Sequence, residues 1–229
     1  MQRSALLHTT MFVLLALLVL PFSFYLIEFG QGGLRDRLPE PHYLLSDSSM
    51  ANLSIFIHMI TGGVITFLIP FQLVRPLRSR FPAIHRWSGR IIGAAAIITS
   101  VGGLSYILLR GTIGGWPMNV GFTLYGVLTL LAAIQTIRHA QASRLNAHAK
   151  WALRFFWLAI GSWLYRVHYG LWYLTTDGLW SNAAFTGVFD LIQNFAFYVP
   201  YLIGLEIYMA RKRYRVVVNC SETALVLIS

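Results

Sequence analysis

Long apolar runs alternate with short polar segments along the whole chain, and this alternation predicts its architecture. A helix needs about 20 apolar residues to cross the hydrocarbon core of a bilayer, and six runs approach or exceed that length. They cover residues 5–27, 52–74, 91–109, 120–137, 151–175 and 185–210. The pattern therefore predicts an all-α integral membrane bundle of six transmembrane helices. Residues 1–229 form a single transmembrane domain in this interpretation.

The polar segments between these runs differ in charge, which predicts the orientation of the helices. Arginine, lysine and histidine are concentrated in the connections 75–90 and 138–150 and in the tail that begins at residue 211, whereas the other connections are neutral or of mixed charge. Cytoplasmic loops carry an excess of Lys and Arg. We therefore expect both termini to be cytoplasmic and the protein to lie in the bacterial cytoplasmic (inner) membrane.

The first apolar run, 5–27, follows Arg3 and so has the outline of a signal peptide. It is longer than the apolar core of about 7–15 residues that signal peptides have, and no small-x-small cleavage site follows it. We expect it to be retained as the first transmembrane helix.

Composition supports a membrane protein and excludes other classes. Hydrophobic residues make up 56% of the chain and charged residues 11%, and the mean hydropathy is +0.61. The formal net charge of +10 is concentrated between apolar runs, where it sets topology, so we expect no binding of nucleic acid. The single cysteine, Cys220, excludes an intramolecular disulfide and a cysteine-based metal cluster.

Polar side chains inside the predicted spans are candidates for function, because each one is costly in lipid. Depth, at about 1.5 Å of rise per residue, divides them into an outer and an inner layer. The outer layer contains His58, Arg166, His168, Asp190, Gln193 and Asn194, and the inner layer contains Gln72, Arg75, His85, Arg86, His148, Arg154 and Glu206. A buried arginine needs an anionic partner. We therefore predict a structural ion pair between Arg166 and Asp190.

Histidines at equal depth on different helices are what two axial ligands of haem b require. His58 with His168 would form an outer pair, and His85 with His148 an inner pair. Nearby arginines would bind the haem propionates. The predicted cofactor-binding residues are His58, His85, His148, Arg86, Arg90 and Arg154, with His85 and His148 as the iron ligands. The same residues also fit a role in holding helices together or in binding lipid phosphate.

The order and spacing of these residues resemble a family of bacterial and fungal membrane proteins catalogued as domain of unknown function 2306. The resemblance covers about 52–210 and leaves the first helix and the basic tail 211–229 outside. It is carried by His58, Gln72, Arg75, His85-Arg86-Trp87-x-Gly89-Arg90, Gly121-Phe122, His148-x-x-Trp151-x-x-Arg154, Arg166, Pro200 and Glu206. The resemblance implies a membrane helical bundle, and His168 has no counterpart in it. Tyr201 departs from the family, which tends to have an asparagine there.

Three functions remain open on this evidence. The first is a haem-b-binding or quinone-interacting electron-transfer protein with a His/Arg site at the inner leaflet. The second is a non-enzymatic accessory subunit or lipid-binding component, with membrane lipids or other membrane-protein subunits as partners. The third, a transporter, would need broken helices or inverted repeats, for which Gly62-Gly63 and Gly102-Gly103 are the only candidate weak points. The sequence has no motif of a protease, nucleotide-binding enzyme or hydrolase.

Overall fold

A computed structural model describes residues 2–38, 44–45 and 47–211, and within them the side chains of all but residues 2–6, 8 and 75. Every regular element in these ranges is an α-helix. The helices are α1 (Gln2–Leu34), α2 (Ser49–Gln72), α3 (Arg75–Arg80), α4 (Pro82–Leu109), α5 (Gly115–Gln141), α6 (Leu145–Ala159), α7 (Gly161–Thr176) and α8 (Val188–Ala196). The chain is helical again over 199–211. The all-α prediction is thus confirmed for the described residues.

Five helical segments in the described ranges are long and apolar enough to cross a membrane. They are Thr9–Leu34, Ser49–Gln72, Pro82–Leu109, Gly115–Gln141 and Val188–Arg211. Large apolar side chains lie on the outside of the bundle, and Leu108 and Leu174 are 85% and 82% exposed. Such an exterior suits lipid better than water. The most extensive packing joins α1 to α2, α2 to α4, α5 to α6 and α4 to α5.

Helix α1 is longer than its predicted run and packs closely on α2. It continues to Leu34, past the predicted end at residue 27. At the contact with α2, a Cβ atom on Gly63 would lie only 2.8 Å from the carbonyl oxygen of Ser23. The backbones of the two helices therefore approach each other because this position is a glycine.

Helix α4 begins at Pro82 instead of at residue 91, so the basic segment at 85–90 is not part of a loop as expected. Proline suits the first turn of a helix, since its missing N–H would have no helical partner there. Arginine is a good helix former. The histidine and arginines of this segment therefore have directions that are fixed by the helix.

The predicted span 151–175 is interrupted at Ile160, which separates α6 from α7. Two backbone carbonyls beside the interruption accept hydrogen bonds from other helices. Tyr125 of α5 donates to the carbonyl of Leu158 at 2.6 Å, and Thr66 of α2 donates to that of Ala159 at 3.4 Å. Side chains that insert into a helical ladder are a recognised cause of kinks. The break is therefore held by tertiary contacts.

The last span, Val188–Arg211, is also interrupted, by a turn at Phe197 and Tyr198. Both side chains are fully buried. The hydroxyl of Tyr198 donates to the carbonyl oxygen of Gly121 at 3.1 Å, and the ring of Phe197 lies 4.9 Å from that of Tyr125. Both interruptions thus face α5, and the aromatic side chains beside them form part of the larger hydrophobic core. The helices containing Gly62-Gly63 and Gly102-Gly103 are continuous.

Candidate functional site

The basic motif, defined here as residues 85–90, presents two different faces because it lies on a helix. Ser88 points towards α2, where its hydroxyl accepts a hydrogen bond from Gln72 Nε2 at 2.6 Å. Trp87 and Arg90 point outwards: Trp87 is 64% exposed, and the guanidinium carbon of Arg90 lies 4.9 Å from the centre of its ring. The motif therefore combines an inward polar contact with an exposed cation–π pair.

The inward face brings His85 close to the second histidine of the predicted inner pair. His85 lies near enough to His148 for their charges to interact, and Arg78 and Arg86 act on it in the same way. His148 Nδ1 lies 3.0 Å from the carbonyl oxygen of Thr136 on α5, so this nitrogen is the donor and Nε2 is left as an acceptor. The described residues provide no hydrogen-bond partner for His148 Nε2.

Arg154, a predicted cofactor-binding residue, is bound to a carboxylate. Its Nε and Nη2 atoms donate to the two oxygens of Glu206 at 2.6 and 2.8 Å, and its guanidinium lies 4.7 Å from the Trp151 ring centre. This two-pronged geometry is the strongest arrangement of an arginine with a carboxylate. Both residues were predicted as inner-layer groups but not as a pair. The sequence did contain a signal for this ion pair, because Glu206 is the only acidic residue that follows Asp190 in the described chain.

His58 lies in the N-terminal half of α2 and faces α4. Its Nδ1 donates to the carbonyl oxygen of Thr99 at 2.8 Å. The ring lies directly against Gly103, where an added Cβ atom would be 2.7 Å from Nδ1. The small residues of α4 that we expected to loosen the helix instead make room for this ring.

His168 does not have a free nitrogen for a metal. Its Nε2 is 2.7 Å from the hydroxyl of Tyr201, and its Nδ1 is 3.0 Å from Nε2 of Gln193. The His168 ring also stacks on Tyr201 with ring centres 5.9 Å apart. The outer pair of His58 with His168 stays an untested prediction, and it would require His168 to give up one of these hydrogen bonds.

The predicted ion pair between Arg166 and Asp190 is wrong. Asp190 is fully buried, but four other donors occupy its carboxylate. They are the hydroxyls of Tyr169 and Ser181, both at 2.7 Å, and the backbone N–H groups of Gly187 at 2.9 Å and Asn182 at 3.2 Å. Asp190 thus fastens the loop 177–187 to the first turn of α8, where a carboxylate satisfies free N–H groups. Arg166 lies over Phe22 of α1 instead, 4.9 Å from its ring centre.

Other predicted features fall partly outside the described residues. The backbone of Arg75 begins α3, but its side chain lies outside the described part, as do residues 212–229 of the basic tail. Within the described part, no group of three or more His, Cys, Asp or Glu side chains is arranged to hold a metal ion. Haem needs only two protein ligands.

Comparison with known proteins gives one family. The family model described as "Predicted membrane protein (DUF2306)" matches residues 55–205, about two thirds of the chain. This range contains both histidines of the inner pair. A search of curated proteins and a search of solved structures gave no significant match.

Proposed function

The chain belongs to the DUF2306 family of predicted membrane proteins, and we propose that it is an electron-transfer protein that binds haem b between His85 and His148. The observation that carries this proposal is that His148 on α6 keeps Nε2 as an acceptor while its charge acts on His85 of α4. Ligating histidines usually donate their other ring N–H to a carbonyl or carboxylate. His148 has that arrangement through the carbonyl of Thr136.

The surroundings of the two histidines suit only part of the predicted cofactor site. Arg78 and Arg86 lie close enough to act on His85 and are the candidates for binding the two propionates. Arg90 faces outwards beside Trp87, and Arg154 is bound to Glu206, so we assign neither to the haem. A bound haem b would supply one-electron chemistry, while the protein ligands fix its position.

Absorbance of the purified full-length chain, produced with haem supplied, tests this assignment. We expect a Soret band that is lost in His85→Ala and in His148→Ala. His139→Ala is the matched control, because His139 lies at the inner end of α5 without belonging to the pair, and its band should remain. Absence of the band from the wild-type protein, or its persistence in both variants, would overturn the proposal.

The proposed topology has six spans with both termini in the cytoplasm. It treats α6 and α7 as one bent span, since helical hydrogen bonds continue across the junction from Ile160 N to Phe156 O and from Leu164 N to Ile160 O. All strongly basic segments then lie on one side of the membrane. Cys220 is the only cysteine. A membrane-impermeant maleimide should therefore label the protein only after the cells have been permeabilised. Labelling without permeabilisation would contradict a cytoplasmic C terminus.

The exposed pair of Trp87 and Arg90 favours a second function, the binding of anionic lipid. A tryptophan at the membrane interface beside an arginine suits a phosphate head group, and such a protein would act as a lipid-binding component or as an accessory subunit. Native mass spectrometry should show phosphatidylglycerol adducts that Trp87→Ala/Arg90→Gln loses. Trp116→Ala, which removes an exposed tryptophan near the opposite end of the bundle, should keep them. Equal adducts in both variants would exclude this site.

A further inference from the structure

The lipid-facing surface of the bundle contains an arginine without a carboxylate partner. Arg166 is exposed, and its guanidinium carbon lies 4.9 Å from the ring centre of Phe22 on α1. Its Nη1 donates only a weak hydrogen bond to the carbonyl oxygen of Ser162, at 3.5 Å. Within the described part of the chain, no carboxylate lies within ion-pair distance of it. Arg166 therefore lacks the anionic group that a guanidinium in the apolar layer needs.

The guanidinium of Arg166 is directed towards the middle of the membrane. Side chains of an α-helix are tilted towards its N-terminal end, and the contact with Ser162 places the guanidinium one turn before its own Cα atom. In the proposed topology, Ser162 lies roughly 17 Å from the inner end of its span at residue 151 and roughly 21 Å from the outer end of α7. Phe22 likewise lies near the middle of the span Thr9–Leu34. The two helices thus agree on the depth of the charge.

This depth restricts the kind of molecule that supplies the anionic group. The hydrocarbon core is about 30 Å thick, so its middle lies about 15 Å from either head-group layer. The phosphates of phospholipids and the carboxylates of fatty acids lie in those layers. A side chain of another transmembrane helix, in contrast, is held at a depth that its own sequence sets. Charge complementarity at the middle of the membrane therefore favours an aspartate or glutamate of a partner helix over a lipid.

The surface beside Arg166 has room for such a helix. Gly170 lies one turn after Arg166 on the same side of α7, and it is exposed. A Cβ atom added there would have nothing within 4 Å. Small residues of this kind let transmembrane helices approach each other closely. Helix α1 packs most extensively on α2, so this side of α7 stays open in the described part of the chain.

We propose that this side of α7 binds a transmembrane helix of a partner protein through a carboxylate at the middle of the membrane. The carboxylate accepts hydrogen bonds from the Arg166 guanidinium, while Gly170 lets the backbone of the partner helix come close. The ring of Phe22 supports the guanidinium from the other side. The proposal thus identifies the partner by its chemistry, as a subunit with one acidic residue inside a span. This binding goes beyond haem ligation and does not require it.

Energy transfer between the full-length protein and synthetic transmembrane peptides in phosphatidylcholine vesicles tests the proposal. The donor is attached to Cys220, the only cysteine. The acceptor is attached to a peptide of alternating leucine and alanine, with lysines at both ends and one glutamate at its centre. We expect saturable transfer with this peptide and only the random level with a peptide that has leucine at its centre.

Substitutions in the protein locate the binding. Arg166→Gln should weaken binding of the glutamate peptide roughly tenfold or more, the size of one interhelical hydrogen bond in model peptides, whereas Arg37→Gln, at an exposed arginine beyond α1, should not. Arg166→Glu should instead bind a peptide with a central lysine, which keeps the test decisive if Arg166→Gln does not fold. Gly170→Leu should also weaken binding, whereas Gly204→Leu, at another glycine with nothing within 4 Å, should not.

The other outcomes identify other occupants. Equal binding of the glutamate and leucine peptides, or equal affinity in Arg166→Gln, overturns the proposal. Binding of oleate that depends on Arg166, without binding of the glutamate peptide, identifies a lipid carboxylate and also overturns it. Tighter peptide binding in Glu222→Gln would show that the tail of the chain itself supplies the carboxylate, which excludes a partner helix. The double variant His85→Ala/His148→Ala should bind the glutamate peptide normally, and loss of binding there would contradict independence from the haem.

Discussion

Replacement of Tyr125 by phenylalanine tests whether the break between α6 and α7 depends on a side chain from another helix. The hydroxyl of Tyr125 donates to the carbonyl oxygen of Leu158 at 2.6 Å, and an added Cβ atom on Gly161, the first residue of α7, would lie 3.0 Å from the tyrosine ring. The ring therefore fills the space at the break, and the hydroxyl compensates its backbone. Tyr125→Phe removes the hydroxyl and its hydrogen bond but keeps the ring.

The size of the effect follows from the burial of this hydrogen bond. A buried hydrogen bond contributes about 1 kcal/mol net, and a carbonyl left without a partner costs about 1–3 kcal/mol. Backbone groups in the apolar layer have no water to replace the lost donor. We expect Tyr125→Phe to lower the free energy of unfolding by about 1–2 kcal/mol. In a chain of this size, that loss corresponds to a decrease in Tm of roughly 3–6 °C.

Thermal unfolding of the purified protein in one detergent, followed by circular dichroism, measures this change. Tyr208→Phe is the matched control, because Tyr208 is exposed in the last span and should change the stability by less than about 0.5 kcal/mol. A Tm for Tyr125→Phe equal to that of Tyr208→Phe would refute the reasoning. The carbonyl oxygen of Leu158 would then need no hydrogen bond from the Tyr125 hydroxyl.

Three further substitutions probe other contacts by the same assay. Asp190→Ala leaves the Tyr169 hydroxyl of α7 and three donors of the loop 177–187 without an acceptor and should destabilise the protein by at least about 3 kcal/mol, with faster proteolysis of that loop; unchanged proteolysis would contradict its anchoring role. Gly103→Ala places a Cβ atom against a histidine ring and should cost about 1–3 kcal/mol, whereas Gly170→Ala, with nothing within 4 Å, should cost nothing. Glu206→Gln breaks the partly exposed pair with Arg154 and should cost less than about 1 kcal/mol, decreasing at high salt; a larger, salt-independent loss would mean that the pair is effectively buried.

Hydropathy alone predicted where most of the long helices lie, since crossing a membrane requires long apolar runs. The same pattern misplaced the start of α4, because charge was interpreted as a loop signal. Pro82 was the better indicator of that helix start. No proline lies near the break at Ile160, and its one local signal is the following Gly161-Ser162 pair. The contact with Tyr125 had no signal near the break, because Tyr125 is distant in sequence.

The candidate site was predicted in part for a similar reason. The pairing of His85 with His148 by depth stays a prediction, and it is consistent with the electrostatic interaction between the two residues. Depth and opposite charge were not sufficient for Arg166 and Asp190, since the Tyr169 hydroxyl of α7 and donors of the loop 177–187 already occupy the carboxylate. An aspartate three residues after Gly187, at the start of α8, was the sequence signal for that capping role.

The position of the basic motif on α4 has a consequence for helix phase. Successive residues of an α-helix are turned by about 100°. One residue inserted between Arg90 and Ile92, where the packed part of α4 begins, would therefore keep the composition and charge of the motif but rotate its members to other faces. Ser88 would lose its contact with Gln72, and His85 would turn away from the same side of the helix. The motif is thus defined by its distance from the packed residues of α4 as much as by its charge.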